Sequence, residues 1–356
     1  MRVACTSLPN GIEIRTADAR EQITALRDDL LRVRIVRSGP LSEDASWAVL
    51  PNARTSSVSV TADITAASAG FHTSVLHVVV GRRTLRMTVF DRAGNVLDED
   101  ARRSQFDGAA FHVYKTMPVD EHYFGLGDKT GPLDRRNQAF SLWNTGAYRF
   151  QESTDPIYKS IPFFMTFRAG RAMGLLLDNT WRSSFDFGKA EPGLSSFGAV
   201  DGPLNYYLIY GPSPRQVLES YAWLTGKPPL PPMWALGFQQ SRYSYYPQAR
   251  VLEVANRLRA DRIPADAIYL DIEFQDKKFP FTVDCQRFPD FPGMLAQLKA
   301  ENFHLVTITD LHIADAPRLS TLSIGSMNQD SRSALQRMRR CTTFTACKTR
   351  ARPSRD

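Results

Sequence analysis

The run Lys227-Pro228-Pro229-Leu230-Pro231-Pro232 constrains this chain more than any other feature. Proline fixes φ and removes the backbone donor, so neither a helix interior nor a central strand can absorb such a segment. It has to be a stiff connector, and the hydrophobic pattern differs on its two sides. Before it, residues 30–36, 75–80 and 84–89 alternate apolar and polar side chains with the period of half-buried strands. Turn signals at Ala93-Gly94-Asn95, Asp107-Gly108, Ala169-Gly170 and Asp201-Gly202-Pro203 separate such runs. Many short strands punctuated in this way predict an all-β sandwich. One helix is expected from Pro214 to Leu224, with Pro214 in its first turn.

After the prolines the pattern changes. Trp234-Ala235-Leu236-Gly237-Phe238 reads as a short buried strand, and Ala267-Ile268-Tyr269-Leu270 and residues 304–309 read as two more. Between them, Gln248 to Ala260 places Val251, Val254, Ala255 and Leu258 on one helical face, and Pro292 to Glu301 forms a second helix. Apolar strands alternating with helices imply parallel strands covered on both faces. The (β/α)8 barrel and the doubly wound sheet share this signature. No GxGxxG follows the first strand, which weakens a dinucleotide fold. The expected organisation is a sandwich over 1–226, the linker 227–232, an α/β unit over 233–317, and a basic, unstructured tail over 318–356.

The net charge of +7 invites a nucleic-acid reading, but its distribution removes it. The tail holds nine of the 44 Lys/Arg and two of the 37 Asp/Glu, leaving a body with 35 of each. The tail's arginines interleave with Ser and Thr without an amphipathic period or stacking aromatics, so neither nucleic acid nor a membrane is the expected partner. No apolar run approaches the ~18 residues of a spanning helix, and the amino terminus lacks the apolar core of a secretory signal. Cys5, Cys285, Cys341 and Cys347 are scattered, with no CxxC pair and no zinc spacing. That usage suits a reducing compartment, the cytoplasm by default, and gives no metal site.

The chemistry starts at Tyr269-Leu270-Asp271-Ile272-Glu273. Asp271 stands where a buried parallel strand runs out into its loop, the end at which barrels build their sites. If the chain stays extended, Asp271 and Glu273 project to the same side. Paired carboxylates there suit glycoside chemistry, and an aspartate can accept from two sugar hydroxyls. The competing reading is a strand-end acid paired with a nearby Arg or Lys.

Three stretches taken together resemble glycoside hydrolase family 31, the α-glucosidase and α-xylosidase family. They are residues 123–133 (Tyr-Phe-Gly-Leu-Gly-Asp-Lys-Thr-Gly-Pro-Leu), residues 142–148 with 155–164, and Pro231 to Tyr243 leading into Tyr269 to Asp276. Phe288-Pro289-Asp290-Phe291-Pro292 and Ile308-Thr309-Asp310-Leu311-His312-Ile313 continue the match in order. The resemblance implies a mutarotase-like β-sandwich followed by the first part, about three βα units, of a (β/α)8 barrel. It places Asp271 on the aspartate that holds sugar hydroxyls in the −1 subsite, Tyr243 on an aromatic lining the pocket, and Ile308 on an apolar wall. The loop of Asn144, Thr145 and Gly146 corresponds to one that leans over the site, with Gly146 where the family commonly has Asp. Trp143 is either a sugar-stacking platform or sandwich core. His312 reads as a strand-end residue, and Arg242 as half of a structural ion pair.

The implied activity is retaining hydrolysis of terminal α-linked glucose in an oligosaccharide or glycoside, with no cofactor or metal. The family's nucleophile lies in a Trp-x-Asp-Met-Asn-Glu segment after the fourth barrel strand, and its acid/base Asp comes later. Trp47, Trp143, Trp181, Trp223 and Trp234 are not followed by that pattern. A barrel takes about 250 residues, and roughly half of that remains after Met233. The chain is therefore expected to lack nucleophile and acid/base, to be inactive alone, and to leave an unpaired strand edge. The alternative is a carbohydrate-binding or interaction module derived from the sandwich.

Overall fold

The computed structural model of the chain describes residues 3–37 and 39–309. It divides into two compact units between Pro228 and Pro229. Among the described residues, the first unit carries an eight-stranded and a nine-stranded sheet, with antiparallel pairing throughout. The eight-stranded sheet centres on Leu30–Val36, Leu204–Gly211 and Arg171–Leu177, hydrogen-bonded in that order. The nine-stranded sheet runs from Ala139–Leu142 at one edge to Thr61–Ile64 at the other. Ile12, Ile23, Val33, Phe71, Val78, Phe111, Phe185, Phe197 and Tyr206 form a continuous buried cluster contributed by both sheets. This is the expected sandwich.

The eight-stranded sheet is also covered on its second face. Helix Pro214–Thr225, with proline in its first turn, packs Val217 and Leu224 with Leu30, Phe163, Leu176 and Tyr207. Strand Leu30–Val36 is accordingly buried on both sides rather than half-buried. Its off-core residue Arg32 donates to Asn205 Oδ1 at 3.0 Å, pairs with Asp44 at 2.8 Å and lies over the Tyr207 ring. The helix sits close because Gly174 and Gly211 lie beneath Val217. A Cβ on either would come within 2.7–2.8 Å of a Val217 methyl.

The expected turns fall where the sequence puts them, with Gly94, Gly108, Gly170 and Gly202 all at positive φ. The strand expected over 84–89 is shorter and begins at Met87. Leu85 takes φ 54° and donates to the Gly81 carbonyl at 2.7 Å, so Thr84 to Arg86 belong to the hairpin turn. The interior also encloses charge. Lys115 is buried with Asp98 at 2.5 Å and Asp100 at 2.8 Å. Burial opposes its charge, but Asp100 and Asp98 outweigh that and hold the ammonium well above its ordinary pKa.

Among the described residues, the second unit contains three parallel strands in sheet order Gln239–Gln240, Ala267–Leu270 and His304–Thr307. Helices Gln248–Ala260 and Phe291–Ala300 connect them. Val251, Ala255 and Leu258 from the first helix and Met294 and Leu298 from the second cover Ile268 and Leu270. Asp290 caps the second helix by accepting from the Gly293 amide at 3.1 Å, which is what the Phe-Pro-Asp-Phe-Pro run encodes. Strand, helix, strand, helix, strand follow in chain order, as expected for the first part of a (β/α)8 barrel.

Trp234 to Phe238 is not a buried strand. Met233–Leu236 is a 3₁₀ turn with no buried residue, and Trp234 stacks on His304 at 4.1 Å. The prolines hold the preceding chain extended, and the Pro232 carbonyl accepts from Ala235 at 3.0 Å to start the turn. The ladder begins only at Gln239, after Gly237, where a Cβ would lie 1.7 Å from an Asp266 carboxylate oxygen. A short apolar run cannot by its period distinguish a strand from such a turn. Among the described residues no helix is long and apolar enough to cross a membrane. The tail 318–356 and His312 lie outside the described residues.

Candidate functional site

The parallel ladder sets Leu270 opposite Thr307 and Gln240 opposite Ile268. The residues leaving the carboxyl ends of these strands therefore form one rim. Ile308 continues the pairing by donating its amide to the Leu270 carbonyl at 3.0 Å, which brings it beside Asp271. It is 37% exposed. Two hydrogen bonds brace the first strand and its loop: Tyr269 Oη to Gln239 Oε1 at 2.6 Å, and Gln240 Nε2 to Tyr245 Oη at 2.7 Å.

Asp271 and Glu273 do not project side by side from an extended strand. The strand ends at Leu270, and Asp271 caps a 3₁₀ turn over Ile272–Phe274, its Oδ1 accepting from the Ile272 amide at 2.7 Å. Its Oδ2 has no hydrogen-bond partner among the described residues. Glu273 faces a different environment. It accepts from Arg287 Nη1 at 3.0 Å and from the Tyr243 hydroxyl at 3.2 Å, and it pairs with Lys278 at 3.5 Å. The Arg287 hydrogen bond, aided by Tyr243 and Lys278 against a small burial penalty, holds its pKa below the ordinary glutamate value. The competing reading, a strand-end acid paired with a nearby Arg or Lys, thus describes Glu273 and, among the described residues, not Asp271.

Tyr243 is 63% exposed, and its hydroxyl is anchored on Glu273, so the loops after the first two strands are tied together at this point. Arg242 was expected in an ion pair. Among the described residues it makes no ion pair, and its guanidinium lies 5.8 Å over the Tyr245 ring. Arg287, which sequence reasoning missed, both fixes Glu273 and covers Tyr246 at 4.5 Å. Nothing in its spacing marks it, because it arrives from the loop before the second helix.

In the first unit the motif stretches converge on the loop that carries Trp143 and Asn144. Lys129 Nζ donates to the Ser141 carbonyl and to Asp155 Oδ1, both at 2.6 Å, and Asp155 Oδ2 accepts from the Ser141 amide at 2.5 Å. Asn144 Oδ1 accepts from the Ser160 amide at 2.9 Å, and Tyr158 Oη donates to the Ala147 carbonyl. The loop is pinned at three places while Trp143 stays 52% exposed, which removes the core reading of that residue. Gly146 has open space where a Cβ would stand, so its lack of a side chain is not a packing requirement.

Residues 21–186 match the glycosyl hydrolase 31 N-terminal galactose mutarotase-like domain, and residues 228–340 match the glycosyl hydrolases family 31 TIM-barrel domain. Alpha-glucosidase 2 of Bacillus thermoamyloliquefaciens is 37% identical over 305 residues, covering 83% of this chain and 38% of the relative. An alpha-glucosidase of Saccharolobus solfataricus is 36% identical over 198 residues, 56% of this chain and 29% of the relative. Among solved structures, a family 31 dextranase of Flavobacterium johnsoniae complexed with isomaltotriose superposes with a TM-score of 0.79 at 28% identity. That superposition covers 86% of this chain and 38% of the dextranase. The chain thus spans about two fifths of the length of the first of these relatives. Two domain models of one family, in the right order and on the two units separated by the prolines, leave one assignment: the chain belongs to glycoside hydrolase family 31.

Proposed function

We propose that this chain forms the sugar-holding part of an α-glucosidase-type site, acting on terminal α-linked glucose with retention, and that its 356 residues alone hold sugar without hydrolysing it. The observation that carries this is Asp271, a carboxylate at the carboxyl end of the central parallel strand with one oxygen uncommitted among the described residues. Such a group accepts from sugar hydroxyls as a charged acceptor. Tyr243 and Ile308 supply apolar walls on the same rim. Within the first unit by itself, Trp143 keeps half of its surface exposed and Asn144 has its Oδ1 committed to Ser160.

Glu273 is not the proton donor of this site. A general acid in glycoside hydrolysis needs a raised pKa, and Arg287 keeps this carboxylate ionised. Retaining cleavage takes a second carboxylate about 5–5.5 Å from the acid, and the Trp-x-Asp-Met-Asn-Glu segment that would supply a nucleophile is absent from these residues. The reaction uses no cofactor.

The test is ligand-observed NMR with glucose and maltose at millimolar concentration. Saturation transfer from the full chain is expected, and Asp271→Asn is expected to remove most of it. Equal transfer from both proteins would show that Asp271 does not hold the sugar.

A further inference from the structure

The outer face of the nine-stranded sheet brings together three side chains that the sequence keeps far apart. His72 on strand Ser68–His72 is the direct cross-strand partner of His77 on Leu76–Gly81, and their rings stack at 3.8 Å with planes 13° apart. Asp63, on the edge strand Thr61–Ile64, pairs in register with Gly70. Gly70 places no side chain between Asp63 and the next strand, so the carboxylate reaches across to the histidines. Its Oδ2 lies 3.2 Å from His77 Nε2 and 4.0 Å from His72 Nε2. Donor atoms of the three residues all fall within 4.8 Å of one another.

We propose that Asp63, His72 and His77 form a binding site for a first-row divalent transition metal, zinc above all. Two imidazoles with Nε2 at 3.2 and 4.0 Å from one carboxylate oxygen are the donor set of borderline cations, whereas calcium and magnesium require oxygen ligands. Ligands about 2.0–2.2 Å from a tetrahedral zinc stand roughly 3.3 Å from one another. The observed separations of 3.2 and 4.0 Å straddle that value, and the site closes when the exposed His72 ring rotates out of its stack on His77 so that the two Nε2 lone pairs meet at one point. The ion replaces the His77–Asp63 hydrogen bond, and the half-exposed position leaves the fourth ligand to water. Its consequence is mechanical. The three ligands sit on the outermost three strands, so the metal ties the exposed edge strand to the two inside it. An unpaired edge is the part of a sheet that most needs such a tie.

The experiment uses the full chain stripped with a chelator and titrated with Zn²⁺ by calorimetry, with Co²⁺ followed by visible absorption in parallel. One equivalent is expected to bind, Co²⁺ is expected to show the intense bands of a low-coordinate nitrogen and oxygen site, and the melting temperature is expected to rise with Zn²⁺. His77→Ala and Asp63→Asn should each weaken binding by at least about tenfold and remove the thermal shift. Circular dichroism in chelator verifies that both variants fold on this solvent-facing patch. Absence of binding would mean the cluster is a hydrogen-bonded group only. Undiminished binding in both folded variants would place the metal elsewhere, and either result overturns the proposal.

Discussion

Asp271 ends its strand with one carboxylate oxygen held by the Ile272 amide, whereas Glu273 is surrounded by Arg287, Lys278 and the Tyr243 hydroxyl. The difference arises because the backbone leaves the extended conformation immediately after Leu270, so the alternation of a strand no longer governs the pair. The two residues should therefore respond oppositely to neutralisation. Glu273→Gln loses the Arg287 and Lys278 pairs and is expected to cost about 0.5–1 kcal/mol in urea unfolding, the scale of a solvent-accessible ion pair. Asp271→Asn keeps an oxygen for the cap and should change stability by less while losing sugar binding. Gly146→Asp restores the carboxylate common in the family. With open space around it, the substitution should leave stability within about 0.5 kcal/mol in urea unfolding.

Among the elements, helix Pro214–Thr225 owes its position to the two glycines under Val217. Gly174→Ala pushes a methyl against Val217 and Phe163 and should destabilise by about 1–3 kcal/mol, the usual cost of overpacking. Adding Val217→Ala should return part of that loss, which a double-mutant cycle by thermal melts will measure. A second prediction concerns Glu121. Burial, reinforced by the Asp98 charge and opposed by the Tyr123 hydroxyl, pushes its carboxyl up to about 7. A raised folded pKa means the native state holds this proton more tightly than the unfolded chain. The associated stability is complete below the ordinary glutamate value of 4.5 and disappears as pH rises through about 7. Glu21, pushed up to about 8 by burial and Asp100, acts in the same sense. Unfolding free energy should therefore fall from pH 5 to pH 8, with Glu121 contributing on the order of 2–3 kcal/mol, and Glu121→Gln should flatten the curve.

The same elements show which features the sequence makes legible. Helix Gln248–Ala260 and strand Ala267–Leu270 are readable because their apolar spacing is imposed by one buried face or by two. The glycine turns are readable because only glycine accepts those φ values cheaply. Strand Val96–Asp107 has no apolar period, since much of what it buries is the Asp98 and Asp100 charge that Lys115 neutralises. The Asp63–His72–His77 cluster was equally silent, because strand register and not spacing assembles it. At the site, Asp271 was marked by its place at a strand end, while its environment depended on a 3₁₀ turn and an arginine that no periodicity announces.

For the molecule as a whole, the account separates holding a sugar from cleaving it. The rim of Asp271, Tyr243 and Ile308 stands on the opening βαβαβ portion of the barrel, and the sandwich is complete enough to bury its own core between two sheets. Cleavage needs a protonated and an ionised carboxylate at fixed spacing, and Glu273, held ionised by arginine, does not fill the proton-donor role. The most direct measurement is release of nitrophenol from an aryl α-glucoside by the purified 356-residue chain. The account predicts no release above the buffer rate at any protein concentration. Release proportional to protein, persisting through purification to a single species, would contradict it and require a nucleophile within these residues.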